Sequence, residues 1–188
     1  MEILKRFFSF LFDIIETVVL ALAIFVVMYL FLFQPHQVKG ASMEPNFYDG
    51  EYILTDKITY RFRPPKRGEV VIFKAPKNPD LDYIKRIIGL PGEKIKIENG
   101  GLYINGQRLY ENYLPETTNI SGGLFLPKGK EVKIPKNSYF VLGDNRSHSS
   151  DSREWGPVQK EDIIGRAFLR YWPPNRVGIL PQAKYKIK

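Results

Sequence analysis

The longest apolar run of the chain comes first. No residue from Thr17 to Phe33 is charged, and extending the run back across Glu16 to Ile14 brings it close to the roughly 20 residues a helix needs to cross a bilayer. The run exceeds the apolar region of about 7–15 residues typical of a cleaved signal sequence, so the pattern predicts a retained transmembrane anchor over residues 14–33, preceded by a short flank over residues 1–13. Beyond the anchor the period changes. Runs of β-branched and aromatic residues punctuated by Pro and Gly occupy Glu51–Thr55, Glu69–Lys74, Asp82–Ile88, Lys94–Ile97, Leu102–Ile104, Val132–Ile134, Tyr139–Leu142 and Ile164–Tyr171. Asn99-Gly100 and Asn105-Gly106, set between such runs, predict tight hairpins. The expected fold is therefore one N-terminal transmembrane helix followed by a mainly β external domain of antiparallel sheets over residues 34–188. A small loop-rich insertion is expected around 110–130, where Pro, Gly, Thr and Asn gather without periodicity.

Composition adds to this picture. The 188 residues, 44% of them hydrophobic, suffice for one core. Lys5 and Arg6 ahead of the apolar run favour a cytoplasmic N-terminus and an external domain. Set against Glu2, Asp13 and Glu16, they leave the first 33 residues at −1, so residues 34–188 carry +9 of the net +8. A basic domain tethered to a bilayer attracts anionic lipid headgroups. The aromatic residues Phe47, Tyr48, Tyr60 and Phe62, interleaved with Arg61, Arg63, Lys66 and Arg67, predict a surface that meets them. Nucleic acid is not an expected partner, since the chain carries no recognised binding motif. The absence of cysteine excludes disulfides, thiol catalysis and Cys-ligated metals, and no His-Glu-x-x-His pattern occurs, so neither metal nor cofactor is expected.

Candidate chemistry lies in three blocks: Gly40-Ala41-Ser42-Met43-Glu44-Pro45, then Tyr83-Ile84-Lys85-Arg86-Ile87-Ile88-Gly89-Leu90-Pro91-Gly92, then the polar stretch from Gly143 to Gly156. A serine hydroxyl becomes a strong nucleophile only when a base takes its proton. A neutral lysine can do so, but an ordinary lysine, with a pKa near 10.4, is only about 0.4% neutral at pH 8, and burial is what lowers that value. Strand alternation puts Lys85 on one face with Tyr83 and Ile87, and Arg86 on the other with Ile84 and Ile88. A lysine on such a face can point inward. A Ser-His-Asp triad built from Ser42, either His148 or His36, and an aspartate is the nearest chemical alternative, although no Gly-x-Ser-x-Gly elbow surrounds Ser42. An anchored β domain that only binds partners at the cell surface would need neither Ser42 nor Lys85.

In order and spacing the three blocks resemble the type I signal peptidases of bacteria, over the stretch from the anchor to about Tyr171. The resemblance implies a serine endopeptidase at the membrane surface that removes signal peptides, with small residues at −1 and −3, from exported preproteins. It implies Ser42 as the nucleophile that carries the acyl group and Lys85 as general base. It further implies that Ser149 hydrogen-bonds the lysine amine, that Arg86 engages Asp144, and that Asp151 and Arg153 form a structural ion pair. Many members carry a hydroxyl two places before the nucleophile as a second oxyanion donor. Gly40 stands there in this chain, which leaves that donor unassigned.

Overall fold

The structure is a computed structural model describing residues 2–115, 120–180, 182–183 and 185–187. Helix α1 runs from Glu2 to Phe31 with none of its residues buried against protein. Its 30 residues extend about 45 Å, enough to cross a hydrocarbon layer of about 30 Å. The helix ends two residues earlier than the apolar run does, because Phe33–Gln37 already pairs as strand β1 with β2, Tyr52–Asp56. The main chain of Lys57 donates to Leu32 O and its amine to Leu30 O, both at 2.9 Å, so the β domain satisfies carbonyls at the helix end that have no intrahelical partner.

The remaining elements follow as α2 (Thr59–Phe62), β3 (Val70–Ala75), β4 (Asn78–Gly89), β5 (Lys94–Glu98), β6 (Gly101–Ile104), β7 (Gln107–Glu111), β8 (Glu131–Lys133), β9 (Ser138–Leu142), α3 (Ser152–Trp155), β10 (Val158–Gln159), β11 (Ile163–Trp172), β12 (Gly178–Ile179) and β13 (Tyr185–Ile187). They form two antiparallel sheets. The first has the order β1-β2-β11-β3-β4-β9-β10, with β12 paired to β11, and the second the order β13-β7-β6-β5-β8. The mainly β expectation holds, and each run singled out from the sequence lies in a strand, with its end at most one residue beyond it.

Both Asn-Gly pairs close two-residue hairpins. Asn99 and Gly100 link β5 to β6, Asn105 and Gly106 link β6 to β7, and all four have positive φ, the conformation such turns demand. Between β7 and β8 the described residues contain no strand, in keeping with a loop-rich insertion, and part of that stretch lies outside the described residues.

Strand β4 organises the core. Its alternating side chains enter three apolar clusters: Ile84 packs with Val38, Met43, Phe47 and Ile53, Ile87 with Val71, Phe73 and Val141, and Ile88 with Ile95, Leu126 and Phe140. Phe47 and Tyr60 correct the expectation of a lipid-facing aromatic surface. Phe47 is core, while Tyr60 packs against the second of these groups and donates its hydroxyl to Glu69. Arg63 pairs with Glu69 and Arg67 with Glu93, which removes them from a common basic face. Of the interleaved set, Tyr48, Arg61, Phe62 and Lys66 remain exposed.

Candidate active site

Ser42 lies in the loop joining β1 to β2, and packing fixes that loop. Its ends are tied where Val38 N donates to Glu51 O (2.8 Å) and Gly50 N to Val38 O (2.9 Å). Met43, immediately after the serine, is wholly buried and Phe47 nearly so, and these two side chains hold the loop in the first cluster. Gly40 turns the chain with φ of +80° while its amide donates to Asp49 Oδ1 at 2.6 Å, and the space where a side chain would begin is open. The serine itself is half-buried.

Lys85 reaches Ser42 from β4. Its Nζ lies 2.8 Å from Ser42 Oγ and 3.0 Å from the Ile84 carbonyl, and it sits 5.6 Å from the Tyr83 ring centroid on the face predicted by alternation. Lys85 is only 4% exposed. Burial pushes its pKa down to about 8, against the pull of Asp151 and Asp144, whose negative charges favour the ammonium. Both groups open onto a groove of about 580 Å³ that His36 and Asp82 also line.

The third block braces this pair. Arg86, on the opposite face of β4 from Lys85, grips Asp144 with Nε at 2.8 Å and Nη2 at 2.6 Å, donates to Gly68 O, and stacks over the Tyr113 ring. Asn46 donates to the same carboxylate at 2.9 Å. Asp151 caps α3, accepts from Gly143 N at 3.1 Å and pairs with Arg153. Arg146 is paired with Glu111 of β7, which joins the block to the second sheet. Removing one partner of a buried pair strands the other charge, so Asp144→Ala is expected to destabilise the domain by about 3–5 kcal/mol in chemical denaturation. A loss below about 1 kcal/mol would show that Arg86 finds water or another acceptor.

Ser149 departs from expectation. Its Oγ is buried but has no hydrogen-bond partner among the described residues, and the Lys85 amine bonds to Ser42 and Ile84 O instead. The Ser149 carbonyl is held by Arg153, and its side chain rests over Gly143, where any Cβ would collide with both Ser149 Oγ and the Ser42 carbonyl. Neither histidine hydrogen-bonds the serine hydroxyl. His36 lies in β1 with Nδ1 2.8 Å from Thr55 Oγ1 and Nε2 3.2 Å from Asp82, while His148 is exposed beside Asn145. Burial holds the His36 pKa below its ordinary value despite Asp82. Among the described residues, no group of three or more His, Asp and Glu side chains converges to hold a metal ion.

Three partners in this arrangement escaped sequence reasoning: Asn46 and Tyr113 on the Arg86–Asp144 pair, and Glu111 on Arg146. Each lies far along the chain from the group it serves, and no local pattern marks it.

Residues 11–172 match the family described as signal peptidase, peptidase S26. The chain is 39% identical to a probable signal peptidase I-2 of Synechocystis sp. over 170 residues, covering 88% of this chain and 75% of the relative. It is 38% identical to signal peptidase I of Leptolyngbya laminosa (88% and 82% covered) and 35% identical to signal peptidase IB of Staphylococcus aureus (86% and 91%). A crystal structure of a signal peptidase I from Enterococcus faecalis aligns with a TM-score of 0.44 at 30% identity, over 55% of this chain and 97% of that one. With most of its length matched by the family and by relatives above 30% identity, the chain belongs to the S26 signal peptidases.

Proposed function

We propose that this protein is a membrane-anchored serine endopeptidase that removes signal peptides from exported preproteins, with Ser42 as nucleophile and Lys85 as general base. The observation that carries the mechanism is the 2.8 Å approach of a buried lysine amine to a half-buried serine hydroxyl at the edge of a groove. With a pKa of about 8, a sizeable fraction of Lys85 is neutral in mildly alkaline conditions, and its lone pair accepts the serine proton as Oγ attacks the scissile carbonyl. The resulting ammonium returns that proton to the departing amine, leaving the signal peptide esterified to Ser42. Water, deprotonated in turn by Lys85, attacks the ester and frees the enzyme. The main-chain amide of Ser42 is the first donor for the oxyanion, and Gly40 offers no side-chain donor beside it.

Helix α1 is the anchor, lying among the lipids, and the charges of Lys5 and Arg6 favour a cytoplasmic N-terminus with the β domain outside. On this reading the chain divides into a short flank over residues 1–13, an anchor over about 14–31 and a catalytic domain beyond, with anionic headgroups as neighbours of the basic external domain. The direct test is incubation of the detergent-solubilised full chain and its Lys85→Ala variant with a preprotein, followed by mass analysis of the products. A single cut at the signal-peptide boundary by the parent alone supports the reading, and cleavage by both would reject it.

The triad alternative is met by a separate expected result. Both ring nitrogens of His36 are engaged by Thr55 and Asp82, and His148 reaches Asn145, so His36→Ala and His148→Ala are expected to keep activity within about tenfold of the parent. If either equalled Ser42→Ala in severity, the chemistry would belong to a histidine.

A further inference from the structure

We infer that Asn145 is a positioning residue that aims the Ser42 amide at the oxyanion. It holds the carbonyls on both sides of the nucleophile: its main-chain N donates to Ser42 O at 3.1 Å and its side-chain Nδ2 to Ala41 O at 3.1 Å. The second bond is the one that matters. Ala41 O and Ser42 N–H belong to one planar peptide unit, and that unit is trans, so the two bonds point in opposite directions. Whatever fixes the Ala41 carbonyl on the Asn145 side fixes the Ser42 N–H away from it.

The other donor to Ala41 O is Glu44 N at 3.2 Å, within the same turn. That contact shapes the turn but does not set its orientation against the rest of the domain. Asn145 does, because its own block is anchored by the Arg86–Asp144 and Arg146–Glu111 pairs. The side-chain amide is itself held in one sense: Oδ1 accepts from His148 N at 3.2 Å, which leaves Nδ2 as the group facing Ala41. Close approach between the two loops is possible because residue 143 has no side chain. With glycine at position 40, the aim of one main-chain amide carries more of the oxyanion stabilisation than it would beside a hydroxyl.

This inference rests on the reading of Ser42 as nucleophile, and it is tested in the full chain in detergent once Ser42→Ala has been measured. Asn145→Ala removes the Nδ2 bond but keeps the main-chain bond to Ser42 O. Asn145→Asp keeps the acceptor for His148 N and loses the donor but adds a carboxylate charge, so the pH profile is read in Asn145→Ala. Removing an oxyanion donor outright costs about 10²–10³-fold in kcat, so mis-aiming one is expected to cost about 10–100-fold in kcat, with KM within about twofold and the apparent pKa of the rate profile unchanged.

A peptide aldehyde, which forms a tetrahedral adduct on the serine, should lose affinity by the same factor as kcat in both variants, while the cleaved signal peptide, which makes no oxyanion, keeps its affinity. A residue that merely supports the fold would weaken both ligands alike. Parental kcat in Asn145→Ala, or equal losses for aldehyde and product, overturns the inference while leaving the nucleophile in place. Cleavage by Ser42→Ala overturns the underlying reading instead.

Discussion

Ser42→Ala and Lys85→Ala are each expected to lower kcat/KM for preprotein cleavage by at least about 10⁴-fold, and the double variant is expected to be no worse than either alone. A nucleophile and its base serve one step, so removing the second after the first forfeits nothing further. Lys85→Arg should be equally inactive although it keeps the positive charge, because a guanidinium does not release its proton at working pH. This variant separates a lysine that works as a base from one that only supplies charge. Circular dichroism and denaturation of Ser42→Ala should match the parent, since the serine is half-buried and the loop is held by Met43 and Phe47. Residual cleavage above about 1% in Ser42→Ala, with a cut at the same bond, would remove the nucleophile assignment.

How much of this site is legible in the sequence differs from residue to residue, for physical reasons. Lys85 is readable because period-two alternation is a local rule: once Tyr83 and Ile87 are assigned to an apolar face, the lysine between them goes inward, and the structure has it 4% exposed. The two Asn-Gly hairpins are readable for the same reason, since the turn chemistry is contained in two residues. Strand β1 is hidden, as Phe33 extends an apolar run that composition alone cannot divide between lipid and sheet, and only pairing with Tyr52–Asp56 ends the helix at Phe31.

Phe47 and Tyr60 mislead in the opposite direction. Aromatic residues interleaved with arginines look like an exposed patch until Glu69 and Glu93, supplied by other segments, take up the guanidinium groups. Ser149 shows the limit of motif reasoning: the third block puts the residue beside the nucleophile loop, yet its hydroxyl lies over the bare Cα of Gly143 and its carbonyl, not its hydroxyl, is what Arg153 holds. Asn145 reads as an ordinary turn residue, and its bonds to Ala41 and Ser42 span about a hundred residues of chain that no local pattern connects.

The pH dependence of rate and that of stability should report the same group, and both should rise as pH rises. Because Lys85 titrates near 8 in the folded protein, kcat/KM is expected to rise with pH through a single deprotonation near that value, as the base must be neutral in the free enzyme. In the unfolded chain the same lysine returns to about 10.5. Between the two values the unfolded state binds more protons than the folded one, so stability increases with pH across the window from about 8 to 10.5, and below 8 the full penalty of burying an amine that prefers to be charged is present. A shift of that size corresponds to about 3 kcal/mol.

Lys85→Met removes the penalty and keeps the apolar stem. It forfeits the bonds to Ser42 Oγ and Ile84 O, each contributing about 1 kcal/mol, so relief of the burial penalty outweighs the two lost bonds. The inactive Lys85→Met protein should therefore be at least as stable as the parent at pH 7, and its advantage should shrink as pH approaches 10.5. A Lys85→Met protein clearly less stable than the parent at pH 7 would mean that the fold stabilises the ammonium instead of penalising it, and a lysine whose pKa is not lowered keeps its proton at working pH and cannot take the serine's.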